Sequence, residues 1–177
     1  MRSRRLASLR FDRCTRPFGR IRSLATRHTA MNTPNEDNLI GKHIMFYDGV
    51  CVYCKGVVDA SLGSDAQEQF FFSPLQSDFA QRALGRYGID SLELRSMYVI
   101  SDYGTSDEAV RAAAPASNFL LQHLSGELKE MGEVNANKPR TVQDAEYKDV
   151  ADHRYERWGK MESIPVPSPD ARPRYVF

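Results

Sequence analysis

The stretch Asp48-Gly49-Val50-Cys51-Val52-Tyr53-Cys54 constrains the fold of this chain more than any other. It follows the apolar run Ile44-Met45-Phe46-Tyr47 and precedes Lys55 to Leu62, which can form a helix. A strand must therefore give way to a helix within a few residues, and Gly49 suits so tight a turn. The pair of cysteines, spaced by two residues, sits on that boundary. A helix N-terminus offers unpaired backbone N–H groups and partial positive charge, which favour a thiolate at the first cysteine. A free thiol titrates near ~8.5, and such a setting can lower it to ~3.5–7.5. The spacing also lets Cys54 reach back and close a disulfide with Cys51. Thiol–disulfide chemistry is the functional reading of these residues.

Two blander readings of the pair stand beside it. One is half of a zinc site. Four-sulfur sites need two such pairs, whereas the remaining cysteine, Cys14, lies far upstream and His43 is at the wrong end of the strand. The other is a pair of inert, half-buried thiols. The reading adopted calls for no metal and no cofactor.

Residues 1–28 differ in kind from the rest. They hold nine arginines, no lysine and one acid, Asp12, with serines and small apolar residues between. No apolar run there is long enough for a secretory core or a membrane span. An Arg-rich, acid-poor start reads as an organellar transit peptide, mitochondrial first and plastid as the alternative. A basic tail that binds nucleic acid or lipid is the other reading. The whole chain carries 24 basic and 23 acidic residues, a net charge of +1. Without nine arginines and one aspartate, 15 basic residues face 22 acidic ones, a net of −7. Such a body offers no broad cationic footprint for nucleic acid. It also loses Cys14, leaving only Cys51 and Cys54, which fits redox use better than a disulfide framework.

Residues 29–42 read as a polar linker. Beyond it, strands are expected over His43–Asp48, Gln69–Leu75 and Met97–Ser101, with helices over Val52–Leu62 and Asp78–Tyr87. Ser77 caps the second helix and Gly88 stops it. A turn at Asp102-Tyr103-Gly104 leads to a short fourth strand. Ser106 is then expected to cap a helix whose acidic first turn, Asp107-Glu108, precedes Ala109–Ala114. Pro115 interrupts that run, and Ser117–Leu128 continues helically. Gly126 to Thr141 reads as a loop, and Asp144–Arg157 as a last helix. The proline-rich tail from Ile164 to Arg174 is expected to be extended and docked. The pattern is α/β, a small mixed sheet between helices in one domain, 43–177.

Several ordered segments resemble the DCC thiol-disulfide oxidoreductase family, a thioredoxin-like group with a D-x-x-C-x-x-C signature. Asp48, Cys51 and Cys54 stand at its three positions. Leu75-Gln76-Ser77, Ser106-Asp107-Glu108-Ala109, Arg154-Tyr155-Glu156-Arg157-Trp158-Gly159, Pro167-Ser168-Pro169 and the closing Arg174-Tyr175-Val176-Phe177 resemble further family segments. The resemblance covers residues 44–177. It implies a thioredoxin-like fold with a C-terminal helical extension and an extended tail, and disulfide exchange with protein or low-molecular-weight thiol clients. One departure is local: Ser96-Met97 stands where thioredoxins carry a cis-proline facing the dithiol.

Under this reading Cys51 is the nucleophile and Cys54 the resolving thiol. Asp48 either accepts a proton from the dithiol or holds the Asp-Gly turn through side chain to backbone bonds. Arg154, Tyr155 and Trp158 either line the site or form an aromatic helix end packed on the sheet. His123 and His153 read as surface or helix-end histidines. Lys148, Asp149, Asp152 and Arg154 read as a solvated helix face. The alternative function is a non-catalytic organellar assembly factor or a structural subunit of a large complex, with the dithiol vestigial.

Overall fold

β1, His43–Tyr47, is buried along its whole length because it lies inside the sheet. The computed structural model describes residues 36–177, so the expected leader at 1–28 and the first half of the linker lie outside the described residues. β1 pairs in parallel with β2, Phe70–Pro74, from His43↔Phe70 to Tyr47↔Pro74. On its other side it runs antiparallel to β3, Tyr98–Ser101, with Met45 opposite Val99. β4, Ala109–Ala112, pairs antiparallel with β3 and closes the order β2-β1-β3-β4. A strand covered on both faces reads as one continuous apolar run, which explains Ile44 to Tyr47.

Successive side chains of β1 point to opposite faces. Ile44 and Phe46 join a core with Phe71, Leu75, Phe79, Leu84 and Ile100, on the side of α2, Asp78–Gly85. Met45 and Tyr47 join another with Val58, Phe70, Phe72, Val99 and Leu120. That second core lies under α1, Val52–Ser64, and α3, Ala113–His123. α4 spans Glu127–Ala136 and α5 spans Arg140–Trp158. α5 packs against α1 and α3, which brings the late part of the chain to the dithiol.

The architecture is the expected α/β layer with a mixed sheet, consistent with a thioredoxin-like fold. Ser77 caps α2 as read from sequence, accepting the Ala80 N–H at 3.0 Å. Four boundaries are corrected. Ala109–Ala112 is strand and not helix: pairing with β3 outweighs alanine's helix propensity, a weak local preference. Glu108 does not open a helix; it accepts from Gly104 N at 2.6 Å and from Arg86 at 2.8 Å, tying down the β3–β4 loop. α3 runs through Pro115 in its first turn, where a missing N–H costs nothing, and ends at His123. Residues 126–141 are not a loop, since α4 fills most of them and α5 starts at Arg140.

α4 has few apolar residues, and tertiary contact compensates. Gly132 sits so close to α3 that an added Cβ would lie 2.7 Å from Leu121 Cβ. The second half of the expected linker also belongs to the body, with Leu39 fully buried and Gly41 N donating to Tyr103 O at 2.8 Å. The tail docks as expected, apart from one 3-10 turn at Arg172–Arg174. Val176 N donates to Phe72 O at 2.9 Å, and Arg174 pairs with buried Asp65.

Candidate functional site

β1 ends at Tyr47, and the turn Asp48–Val50 delivers Cys51 to the N-cap of α1. Cys51 has extended backbone angles, φ −84° and ψ 119°, and its Sγ accepts the Cys54 N–H at 3.1 Å. The sulfur thus takes the place of a serine or aspartate oxygen at a helix cap. The Cys54 thiol, donating to it, is the main influence that lowers the Cys51 thiol to about 7. Burial opposes this, and the Cys54 N–H adds to it. Cys54 moves the other way: its hydrogen bond to Cys51 and its burial push its thiol well up. Both cysteines are free.

The two sulfurs differ in access. Cys51 is fully buried, whereas Cys54 is half-buried. The chain leaving α5 lies over Cys51. Met161 N donates to Val50 O at 2.8 Å, and Val52 N to Gly159 O at 3.4 Å, so Lys160 bridges to Cys51 in antiparallel fashion. The Trp158 ring lies against Tyr53, with centroids 4.5 Å apart and the planes tilted by 31°.

Asp48 is 4% exposed, and four donors converge on it. Val50 N reaches Oδ1 at 3.2 Å and Gln76 Nε2 reaches it at 3.0 Å. Arg154 Nη2 reaches Oδ2 at 3.2 Å, and the Tyr155 hydroxyl donates to the same oxygen. A carboxylate offers about four lone-pair sites, so all are taken. Gln76 Oε1 also accepts Gly49 N at 3.0 Å, so one glutamine braces both sides of the turn. Burial and the bond to Asp48 push the Tyr155 hydroxyl up to about 12.

The structure therefore brings Arg154 and Tyr155 onto Asp48, and Trp158 onto Tyr53 beside the dithiol. Lys148, Asp149 and Asp152 do form a solvated face, but Arg154 turns inward and is 16% exposed. His43 is at the far end of β1, accepts Asp102 N at 3.2 Å and packs on Phe70 and Phe119. His153 is an exposed helix histidine, and His123 stacks on Phe119 at 4.0 Å. Among the described residues, no group of three or more His, Cys, Asp or Glu is placed to hold a metal. Nor is any of their helices long and apolar enough to cross a membrane.

Sequence reasoning missed Gln76 as a site residue, although its place in the Leu75-Gln76-Ser77 segment marked it. It also missed Tyr147, whose hydroxyl accepts Met97 N at 2.9 Å and lies 3.0 Å from Ser96 Oγ. That is the position where thioredoxins carry a cis-proline; there is no cis peptide bond among the described residues. Beside Cys54 opens a cavity of about 330 Å³, walled by Val57, Met97, Val150, Ala151 and Met131 among others.

Comparison with known proteins places the chain among relatives. The chain is 28% identical over 140 residues to the uncharacterized protein YuxK of Bacillus subtilis (strain 168), covering 77% of this chain and 96% of that protein. No solved structure matches the chain. The family model described as DCC1-like thiol-disulfide oxidoreductase matches residues 45–160, which include Asp48, both cysteines, Gln76 and Arg154. With most of its length matched and the signature residues gathered at one strand end, the chain belongs to the DCC1-like thiol-disulfide oxidoreductase family.

Proposed function

We propose that this chain exchanges thiols and disulfides through Cys51 and Cys54, with Cys51 as nucleophile and Cys54 as resolving thiol. The supporting observation is the Cys51 sulfur at the N-cap of α1, accepting the Cys54 N–H and lowered to about 7. A Cys51 thiolate attacks one sulfur of a client disulfide, and the other client sulfur leaves with the electron pair. Cys54 then gives up its proton to solvent or to that departing sulfur, and attacks Cys51. The second client sulfur leaves, and a Cys51–Cys54 disulfide remains. Asp48, with its lone pairs occupied, holds the turn and ties it to α5 rather than carrying the proton. Clients are proteins or low-molecular-weight disulfides, and they reach Cys51 when residues 159–161 move aside.

Differential alkylation with mass spectrometry tests the exchange. The pair is expected to convert between dithiol and disulfide within ~−320 to −120 mV, the span of common cellular couples. Two free thiols throughout that range would leave the assembly-factor reading in its place. The proposal also places this chemistry in an organelle, mitochondrial first, behind removal of residues 1–28. An intact Met1 on the native protein inside the organelle would refute the removal.

A further inference from the structure

We propose that the cavity beside Cys54 receives a small thiol or dithiol with an apolar body, which exchanges with Cys54 and not with Cys51. The inference rests on the reading of the pair as an exchanging dithiol. It adds a second substrate and gives each sulfur its own point of access.

The two sulfurs face different surroundings. Cys51 has no exposed surface and lies beneath Lys160, outside the cavity wall. Cys54 is part of that wall. The cavity, about 330 Å³, lies at the small end of the range for ligand sites, roughly 300–1,000 Å³. Val57, Met97, Val150, Ala151 and Met131 make its surface chiefly apolar.

The polar groups in its inner wall are largely committed. The Tyr147 hydroxyl serves Met97 N and Ser96, and Arg154 serves Asp48 and the Leu94 carbonyl. Gln143 bonds Asn118 and the Lys138 carbonyl, while Asn135 bonds Asn118. The cavity thus offers chiefly apolar surface and one thiol, while the charged Arg95 and Glu146 stand at its exposed edge, paired with Glu93 and Lys138. A charged thiol, or a peptide with backbone to satisfy, would bury polar groups without partners there, which is costly. An apolar body carrying sulfur meets both features.

The chemistry follows from the same asymmetry. In the oxidised pair, a thiolate entering the cavity attacks Cys54 Sγ. The Cys51–Cys54 bond breaks, and its electron pair leaves on Cys51, the sulfur held by the Cys54 N–H at the helix N-terminus. The better-stabilised thiolate is the better leaving group. A mixed disulfide on Cys54 remains. The second thiol of a dithiol attacks the ligand sulfur, forming a cyclic disulfide and releasing Cys54, which takes a proton. Two electrons pass to the protein; of the ligand's two protons, one ends on Cys54 and the other in solvent.

The test uses the full chain with its Cys51–Cys54 disulfide formed, and follows reduction by dihydrolipoamide, an apolar dithiol, and by dithiothreitol, a polar one. Dihydrolipoamide is expected to react roughly tenfold faster, the factor that about two more buried methylene groups supply. Ala151→Phe, which fills the cavity, is expected to bring that ratio close to one. Met131→Glu changes a rim residue that is 59% exposed, so it decides the matter if Ala151→Phe does not fold. It is expected to lower the ratio several-fold. Equal rates in the unaltered chain, or a ratio that the folded variants leave in place, overturn the cavity site while exchange at the pair stands. Failure of the pair to form a disulfide at all overturns both.

Discussion

Arg154 in α5 donates to Oδ2 of Asp48 at 3.2 Å, joining the last α-helix to the turn that presents the two cysteines. The two residues are 106 positions apart, and both are largely withdrawn from water. Removing one member of a buried pair strands the other, at a cost of about 3–5 kcal/mol. Tyr155, Gln76 and Val50 still reach Asp48 in Arg154→Ala, so a loss near the lower end, about 3 kcal/mol, is expected. Urea denaturation measures it. A change below about 1 kcal/mol, the usual range of an exposed pair, would mean that the contact contributes little.

The Cys51 thiolate is expected to form as pH rises through about 7, seen as ultraviolet thiolate absorbance. The largest cause is the hydrogen bond from the Cys54 thiol, so Cys54→Ala removes it and moves the transition to higher pH. A lowered thiol favours the folded form above the ordinary thiol range, and that contribution is lost as pH falls through about 7. In Cys54→Ala, stability is therefore expected to vary less over that interval. An unmoved transition would show that the Cys54 thiol is not the donor.

The cysteines are expected to divide their work. Cys54→Ser leaves the Cys51 nucleophile without a resolving partner, so a protein client stays attached as a mixed disulfide. Cys51→Ser traps little protein, because Cys54 keeps its proton and its access is the narrow cavity. Pull-down followed by non-reducing electrophoresis compares them. Trapping of protein clients by Cys51→Ser alone, or equally by both, would reverse or erase the assignment.

Two glycines close in sequence are expected to respond with opposite sign. A Cβ at Gly49 would stand 2.9 Å from Ile164 Cγ1 and 3.0 Å from Pro74 Cβ. Gly49→Ala must push the tail or β2 aside and is expected to destabilise by about 1–3 kcal/mol. Gly56, inside α1, has open space around its Cβ position. Gly56→Ala is expected to stabilise by about 0.5–1 kcal/mol through backbone entropy. Thermal melts of the two variants moving in the same direction would contradict this account of the turn.

The sequence by itself determined the centre of this protein. The apolar run Ile44–Tyr47 reads as a strand, and the short interval from Asp48 to Cys51 calls for a turn into a helix. Ser77 before Asp78 is a cap whose donor, Ala80 N, is set by local geometry. These features were legible because they depend on neighbours a few residues apart. Local signals misled where a partner far along the chain outweighed them. Ser106-Asp107-Glu108 before a run of alanines looks like a helix start, yet Ala109–Ala112 pairs with β3 because that strand had a free edge. Glu127–Ala136 lacks a broad apolar face, yet it is helical because Gly132 lets it approach Leu121 closely. The same division holds at the site. The spacing of Cys51 and Cys54 pointed to the candidate site, but only the packing of α5 decided that Asp48 has its lone pairs filled. Only that packing decided that Cys51 is covered and Cys54 faces a cavity. Burial and convergence on one carboxylate arise when distant segments exclude water together, and no short stretch of sequence carries that.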